Sequence, residues 1–252
     1  MGLILLYAKK VVIMIGINTD LNSLEYSVEW KKQSSHFLKN KYYSWMASKI
    51  NKTSNIIEVG SGCGFASVEL VKEGHKIICV ESNPDCAKAT VNTLLASNIN
   101  SIQVNNINDA ITEFKNGNVP VVNIDVLSIS KNDWGKLAAD INVNCILCWL
   151  FGTYPADLIE QGFQEPNIFR EKIEHFLKDI FETILPKASQ LNIVNRGAIN
   201  KNILSPDIGD VRGEITYYTL EFTPLFEGIA IKSNRPLQYG DVFCFISMNI
   251  FK

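Results

Sequence analysis

The chain has 252 residues, of which 46% are hydrophobic and 20% charged, and a formal net charge of −2. This length suits one large domain, since single cores stay practical up to roughly 250 residues. The composition is the globular average and excludes disordered, collagen-like and disulfide-scaffold classes, and the weak negative charge offers no basic field for a nucleic-acid backbone.

Residues 2–16 are apolar, but Lys9 and Lys10 divide them. A secretory signal carries its positive charge ahead of the apolar run, and a spanning helix needs about twenty apolar residues without such a break, so no membrane role is expected. The Val and Ile content favours short strands here, and residues 1–33 are set apart as an N-terminal extension to a domain over 34–252. From Ser34 to Ile50, the apolar positions Leu38, Tyr42, Trp45, Met46 and Ile50 recur at three and four residues, which predicts an amphipathic helix. A short strand, Asn55–Val59, then runs into glycines 60, 62 and 64, and helical spacing resumes from Phe65 to Glu73. The next strand, from Lys76, ends in Glu81. After it, Asn83 suits a helix N-cap and Pro84 the first helical position.

Ser101–Val104 reads as an extra strand and Ala110–Phe114 as a short helix. Strands are predicted over Val119–Val126 and Asn144–Leu150, and a helix through Phe169, Ile173, Phe176, Ile180 and Ile184 stops before Pro186. A strand over Gln190–Val194 follows, and period-two alternation in Ile215–Phe222 and Val242–Ile250 predicts an antiparallel pair. The βαβα alternation as a whole predicts a doubly wound α/β fold: a mostly parallel seven-stranded sheet, helices on both faces and a C-terminal antiparallel hairpin. The six cysteines are scattered rather than arranged as a framework, which points to a reducing cytoplasm. Cys145 and Cys148 form a CxxC, but inside a strand and with no second pair or histidine cluster nearby, so no metal is expected.

Three glycines at alternate positions between a strand and a helix let the backbone turn sharply and approach a ligand closely. A dinucleotide fingerprint would need glycine where Phe65 stands, and its pyrophosphate disfavours a carboxylate such as Glu58 beside the helix start. An acid there suits a cationic ligand better. Glu81, about twenty residues on, stands where an acid accepts hydrogen bonds from ribose hydroxyls.

Ile57-Glu58-Val59-Gly60-Ser61-Gly62-Cys63-Gly64 resembles the E/DxGxGxG motif of class I S-adenosylmethionine-dependent methyltransferases, and the resemblance extends over residues 35–197. It implies S-adenosylmethionine as cofactor, held by Glu58, Gly60, Ser61, Gly62 and Gly64, by Glu81, Ser82 and Asn83 around the adenosine, and by an acid after the third strand. Asp125 with Val126 follows the better strand, whereas Asp109 stands at the more usual distance. Cys148 and Trp149, at the end of the fourth strand, are expected beside the cofactor. Nucleobase and glutamine methylases often carry Asp/Asn-Pro-Pro-aromatic at that point. Here the segment is Cys148-Trp149-Leu150-Phe151-Gly152-Thr153-Tyr154-Pro155, which favours a small-molecule acceptor and disfavours nucleic acid. Methyl transfer needs chiefly proximity and alignment. His36 and Tyr154 are the candidate catalytic residues, Asn195-Arg196 could meet an acidic substrate, and a homodimer is compatible with the sequence. Gly62→Arg is expected to abolish cofactor binding and spare the fold. Two rivals share this reading: an aminopropyl transferase using the decarboxylated cofactor, and a catalytically silent module that binds a partner.

Overall fold

The computed structural model describes residues 22–50, 54–152, 162, 166–186, 189–200, 211–212, 217–224 and 241–251. Helix α1 (Ser23–Lys39) starts on a reciprocal cap. The Asn22 side chain accepts the Glu25 amide at 3.0 Å while the Glu25 carboxylate accepts the Asn22 amide at 3.0 Å. At Lys41 the backbone enters the left-handed region, φ 59°, and turns the chain into α2 (Tyr42–Ala47). The single helix expected over 34–50 is therefore two, and α1 runs straight across the boundary drawn after residue 33. The strands expected over residues 2–16 lie outside the described residues.

The next elements alternate as the sequence predicts: β1 (Asn55–Val59), α3 (Phe65–Lys72), β2 (Lys76–Glu81), α4 (Pro84–Ala96), β3 (Ser101–Val104), α5 (Ile107–Lys115) and β4 (Val119–Asn123). A short 3-10 turn, Val126–Ser128, cuts β4 three residues short of its expected end, because Asp125 leaves the strand to cap that turn through the Leu127 amide at 3.0 Å. Then follow α6 (Lys131–Asp140), β5 (Cys145–Trp149), α7 (Pro166–Thr183), β6 (Gln190–Asn200), β7 (Val211–Arg212), β8 (Tyr217–Pro224) and β9 (Asp241–Phe251).

These strands form one sheet in the order β3-β4-β2-β1-β5-β6-β9-β8-β7. Its centre, β4-β2-β1-β5-β6-β9-β8, is the expected seven-stranded arrangement, extended by β3 at one edge and β7 at the other. Pairing is parallel from β3 to β6 and antiparallel from β6 through β9 and β8 to β7. The chain leaves β1 in one direction to form β2 and returns to its other side as β5. Such a switch point opens a crevice beyond the carboxyl ends of the strands.

Alternation along the strands sorts the core into two layers. Ile57, Val59, Ile78, Val80, Val122, Ile146 and Ile193 face α5, α6 and α7, where Trp134, Phe169 and Ile173 are fully buried. Ile56, Ile77, Cys79, Val121 and Leu147 face α1 to α4. On that second face Phe245 of β9 meets Phe37 and Tyr42 edge-on at 5.2 and 4.7 Å, which fixes the hairpin against α1 and α2. Among the described residues no helix is long and apolar enough to cross a membrane.

Candidate functional site

The crevice at the switch point takes in about 450 Å3 including its open mouth. Its walls come from four neighbouring strands and from α1. Ile124, Asp125 and Val126 follow β4; Val80 and Glu81 end β2 and Ser82 follows it; Val59 ends β1, with Gly60 and Gly62 after it; and Phe151 and Gly152 follow β5. Tyr26 and Trp30 close it from α1.

The loop after β1 is shaped by contacts that only glycine allows. Gly62 has φ +58°, and a Cβ there would lie 2.1 Å from the Trp30 indole nitrogen; Gly64 has φ +78°, and a Cβ would meet the Thr90 backbone at 2.9 Å. The loop thus presses against α1 on one side and α4 on the other. The expectation that Gly62→Arg would spare the fold needs correction, because any side chain at this position must displace Trp30. Thr90 adds a hydrogen bond from its hydroxyl to the Gly62 carbonyl at 2.8 Å.

Glu81 is buried at the crevice wall, and both its oxygens hold backbone: Oε2 accepts the Gly62 N–H at 2.7 Å and Oε1 the Asn83 N–H at 3.0 Å. The acid predicted to face a ribose thus also sets the shape of the glycine loop. Ser82 and Asp125 line the crevice with it, as does Val126. Asp109 lies elsewhere, exposed in the first turn of α5, where it accepts from Asn106 Nδ2 at 2.7 Å. Of the two registers weighed from sequence, Asp125 is the one beside the crevice.

Other predicted residues sit apart from it. Asn83 uses its side chain to cap α4 and to reach the Ser23 carbonyl at 3.1 Å, tying α1 to α4 rather than turning into the crevice. Ser61 is buried against Thr90 at 3.3 Å. Cys148 and Trp149 are buried on opposite faces of β5, and the Trp149 indole N–H donates to Asn192 Oδ1 inside the core. Strand alternation explains the miss: only the residues past the strand end, Phe151 and Gly152, reach the crevice. His36 lies in the last turn of α1 with its ring paired to Asn40 Nδ2 at 3.1 Å, and it does not line the crevice. Tyr154 and the side chain of Arg196 lie outside the described residues.

Glu58 also points away from the crevice. Its carboxylate is buried on the α3 side of the sheet, accepting from the Ser67 hydroxyl at 2.6 Å and the Cys79 thiol at 3.5 Å. Burial pushes its pKa from an ordinary 4.5 up to about 7, against the opposing pull of those two hydrogen bonds. The folded chain therefore keeps a proton that the unfolded chain releases between pH 4.5 and 7, and the stability owed to this group falls as pH rises through that window. Relative to the wild type, Glu58→Gln should gain about 3 kcal/mol between pH 4.5 and 8. Urea unfolding of both proteins across that range checks this, and a difference independent of pH would contradict it.

Tyr26, Trp30, Phe151 and Gly152, with the strand-end residues Val59, Val80 and Ile124, are the wall residues that the sequence reading did not assign. Tyr26, Trp30 and Phe37 recur at helical spacing behind an Asn-x-x-Glu cap, a signal that assigning residues 1–33 to an extension of short strands concealed.

No protein-family model matches the sequence, and no curated protein does. Among solved structures, the chain is similar to M. jannaschii TYW2 in complex with AdoMet, at 11% identity over 85% of this chain and 76% of that one, with a TM-score of 0.42. It is similar also to precorrin-6y C5,15-methyltransferase from Geobacter metallireducens, at 11% identity over 84% and 89% of the two chains, with a TM-score of 0.42. An rRNA methylase from Streptococcus thermophilus gives 11% identity over 84% and 95%, with a TM-score of 0.39. The share of the other chain that is spanned varies widely, from 48% in a Streptococcus mutans protein to that 95%. By its own strand order and the loop that follows its first strand, the chain is a Rossmann-like α/β protein.

Proposed function

We propose that the chain is an S-adenosylmethionine-dependent methyltransferase whose acceptor is a small molecule. The observation that carries this reading is the charge of the crevice: its described walls hold two carboxylates, Glu81 and Asp125, and no lysine or arginine. A pyrophosphate would find no cation there, and the Gly62 N–H that a phosphate would seek is already held by Glu81 at 2.7 Å. A nucleoside carrying a sulfonium and an ammonium group suits such walls. The adenine would lie at the β4 end beside Asp125 and Val126, with the ribose hydroxyls on Glu81 and the backbone of the chain approaching the cofactor at Gly60 and Gly62.

Bound there, S-adenosylmethionine supplies an electrophilic methyl group on a positively charged sulfur. The residues of the chain align it and exclude water: Tyr26, Trp30 and Phe151 form an apolar collar at the β1 and β5 end, where an acceptor nucleophile would stand in line with the sulfur–methyl bond. His36 has no place in this step, since its ring is turned to Asn40. Cys63, Cys79, Cys86, Cys145 and Cys148 are buried free thiols, which suits a reducing cytoplasm.

Incubating the protein with cofactor labelled in the methyl group and with fractionated cell extract tests the acceptor class. Label is expected in the small-molecule fraction, and label confined to RNA or protein would overturn that part of the reading.

A further inference from the structure

Three glycines among residues 60–64 give the loop a wide choice of backbone conformations, and a ligand bound on it pays for ordering them unless the fold has done so first. The hydrogen bonds show where that freedom is removed. The Gly60 N–H donates to the Val80 carbonyl at 2.8 Å, and the Gly64 N–H closes a turn on the Ser61 carbonyl at 3.0 Å. Between these two, Gly62 stands in the crevice wall at φ +58°, with a hold on each of its peptide groups. Glu81 accepts its N–H at 2.7 Å, and Thr90 donates to its carbonyl at 2.8 Å.

Thr90 reaches the loop from the middle of α4 and is itself fully buried. Its hydroxyl has one proton, which goes to Gly62, so in the 3.3 Å contact with Ser61 the serine hydroxyl donates and Thr90 accepts. The chain from Ser61 to Thr90 to the Gly62 carbonyl thus leaves the loop, passes through α4 and returns, each bond polarising the next. At Gly64 the absence of a side chain lets the loop pack on the Thr90 main chain, where a Cβ would stand 2.9 Å from its Cα. That close packing sets the distance between α4 and the loop, and the hydroxyl sets the rotation of the planar peptide group between residues 62 and 63. Thr90 does not line the crevice; it acts there through Gly62, which does.

We infer that Thr90 is a positioning residue for the cofactor: without touching the nucleoside, it holds the Gly62 backbone in the orientation that the nucleoside meets. The inference rests on the cofactor reading above. It needs no cation in the crevice, and it gives the buried Ser61 hydroxyl a part, that of holding Thr90.

The test is calorimetric titration of the full chain and its variants with S-adenosylmethionine and S-adenosylhomocysteine, each beside a thermal melt. Thr90→Val keeps the shape of the side chain and removes the hydroxyl. It should weaken both compounds by about fivefold to thirtyfold, the entropy of fixing the backbone of one residue. Thr90→Ser retains the donor and should stay within about twofold of the wild type. Ile111→Val, a buried trim in the other core layer, is the control for stability; it should lower the melting temperature and leave both affinities unchanged. Wild-type affinity in a folded Thr90→Val, a loss in Thr90→Ser as large as in Thr90→Val, or an equal loss in Ile111→Val would overturn the role of Thr90. If Thr90→Val did not fold, Ser61→Ala would carry the test, since it removes the hydroxyl that donates to Thr90. Binding about threefold weaker is then expected, and unchanged binding would overturn the inference. If neither compound bound the wild type, the cofactor reading itself would fall, and this inference with it.

Discussion

Gly62→Arg should weaken S-adenosylmethionine binding by at least about a hundredfold, and it should do so partly by moving α1. Two costs act together. The backbone at Gly62 has φ +58°, a conformation that costs an L residue about 1–2 kcal/mol. A Cβ there would also stand 2.1 Å from the Trp30 indole nitrogen, and forcing a side chain into filled space costs typically about 1–3 kcal/mol. Trp30 is buried, so it yields only by leaving its packed position or by a shift of α1, and α1 is tied to α4 by the Ser23 hydroxyl, 2.6 Å from Asp85 Oδ2, and by Asn83. Even Gly62→Ala should therefore lower both affinity and melting temperature. Adding Trp30→Ala to Gly62→Ala should recover part of the stability, whereas the two substitutions would simply add if the indole did not occupy this space. Calorimetry and thermal melts of the four proteins check both statements, and wild-type affinity in Gly62→Arg would contradict the placement of the cofactor.

Glu81→Ala should cost stability and affinity at once. In the folded chain its carboxylate takes the amide protons of Gly62 and Asn83 at 2.7 and 3.0 Å. Removing it strands two donors in a buried site, at about 1–3 kcal/mol each. A carboxylate has about four lone-pair sites, so two backbone bonds do not exhaust it, and ribose hydroxyls can share it. Losing those charge-assisted bonds as well should lower cofactor affinity by about a hundredfold. Glu81→Gln keeps one acceptor oxygen and should retain more of the fold than of the affinity. Urea unfolding and calorimetric titration of both variants separate the two effects; a Glu81→Ala protein that binds the cofactor like the wild type would remove Glu81 from the site.

The sheet was legible because its strands are short apolar runs punctuated by strong signals: glycines after β1, Asn83-Pro84 before α4, Pro186 after α7. The switch-point crevice follows from that alternation alone. The strand-end acid and the residues after β4 were equally legible, since a loop that follows a parallel strand must emerge on the crevice side. Direction was the part the sequence withheld. Glu58 stands two residues before Gly60, yet strand alternation turns it toward Ser67 and Cys79 and away from the ligand side. Cys148 and Trp149 are likewise held in the two core layers by the pleat of β5, and only Phe151 and Gly152, beyond it, reach the opening. The α1 wall was missed for a different reason: Tyr26 and Trp30 come from a helix about thirty residues upstream of the loop that they cover, and no local pattern reveals such a long-range contact.

The most direct test of the cofactor assignment is calorimetric titration of the purified chain with S-adenosylmethionine and with S-adenosylhomocysteine, with NAD as the control. Micromolar binding of the first two and none of NAD is the predicted result; binding of NAD, or silence toward all three, would contradict it.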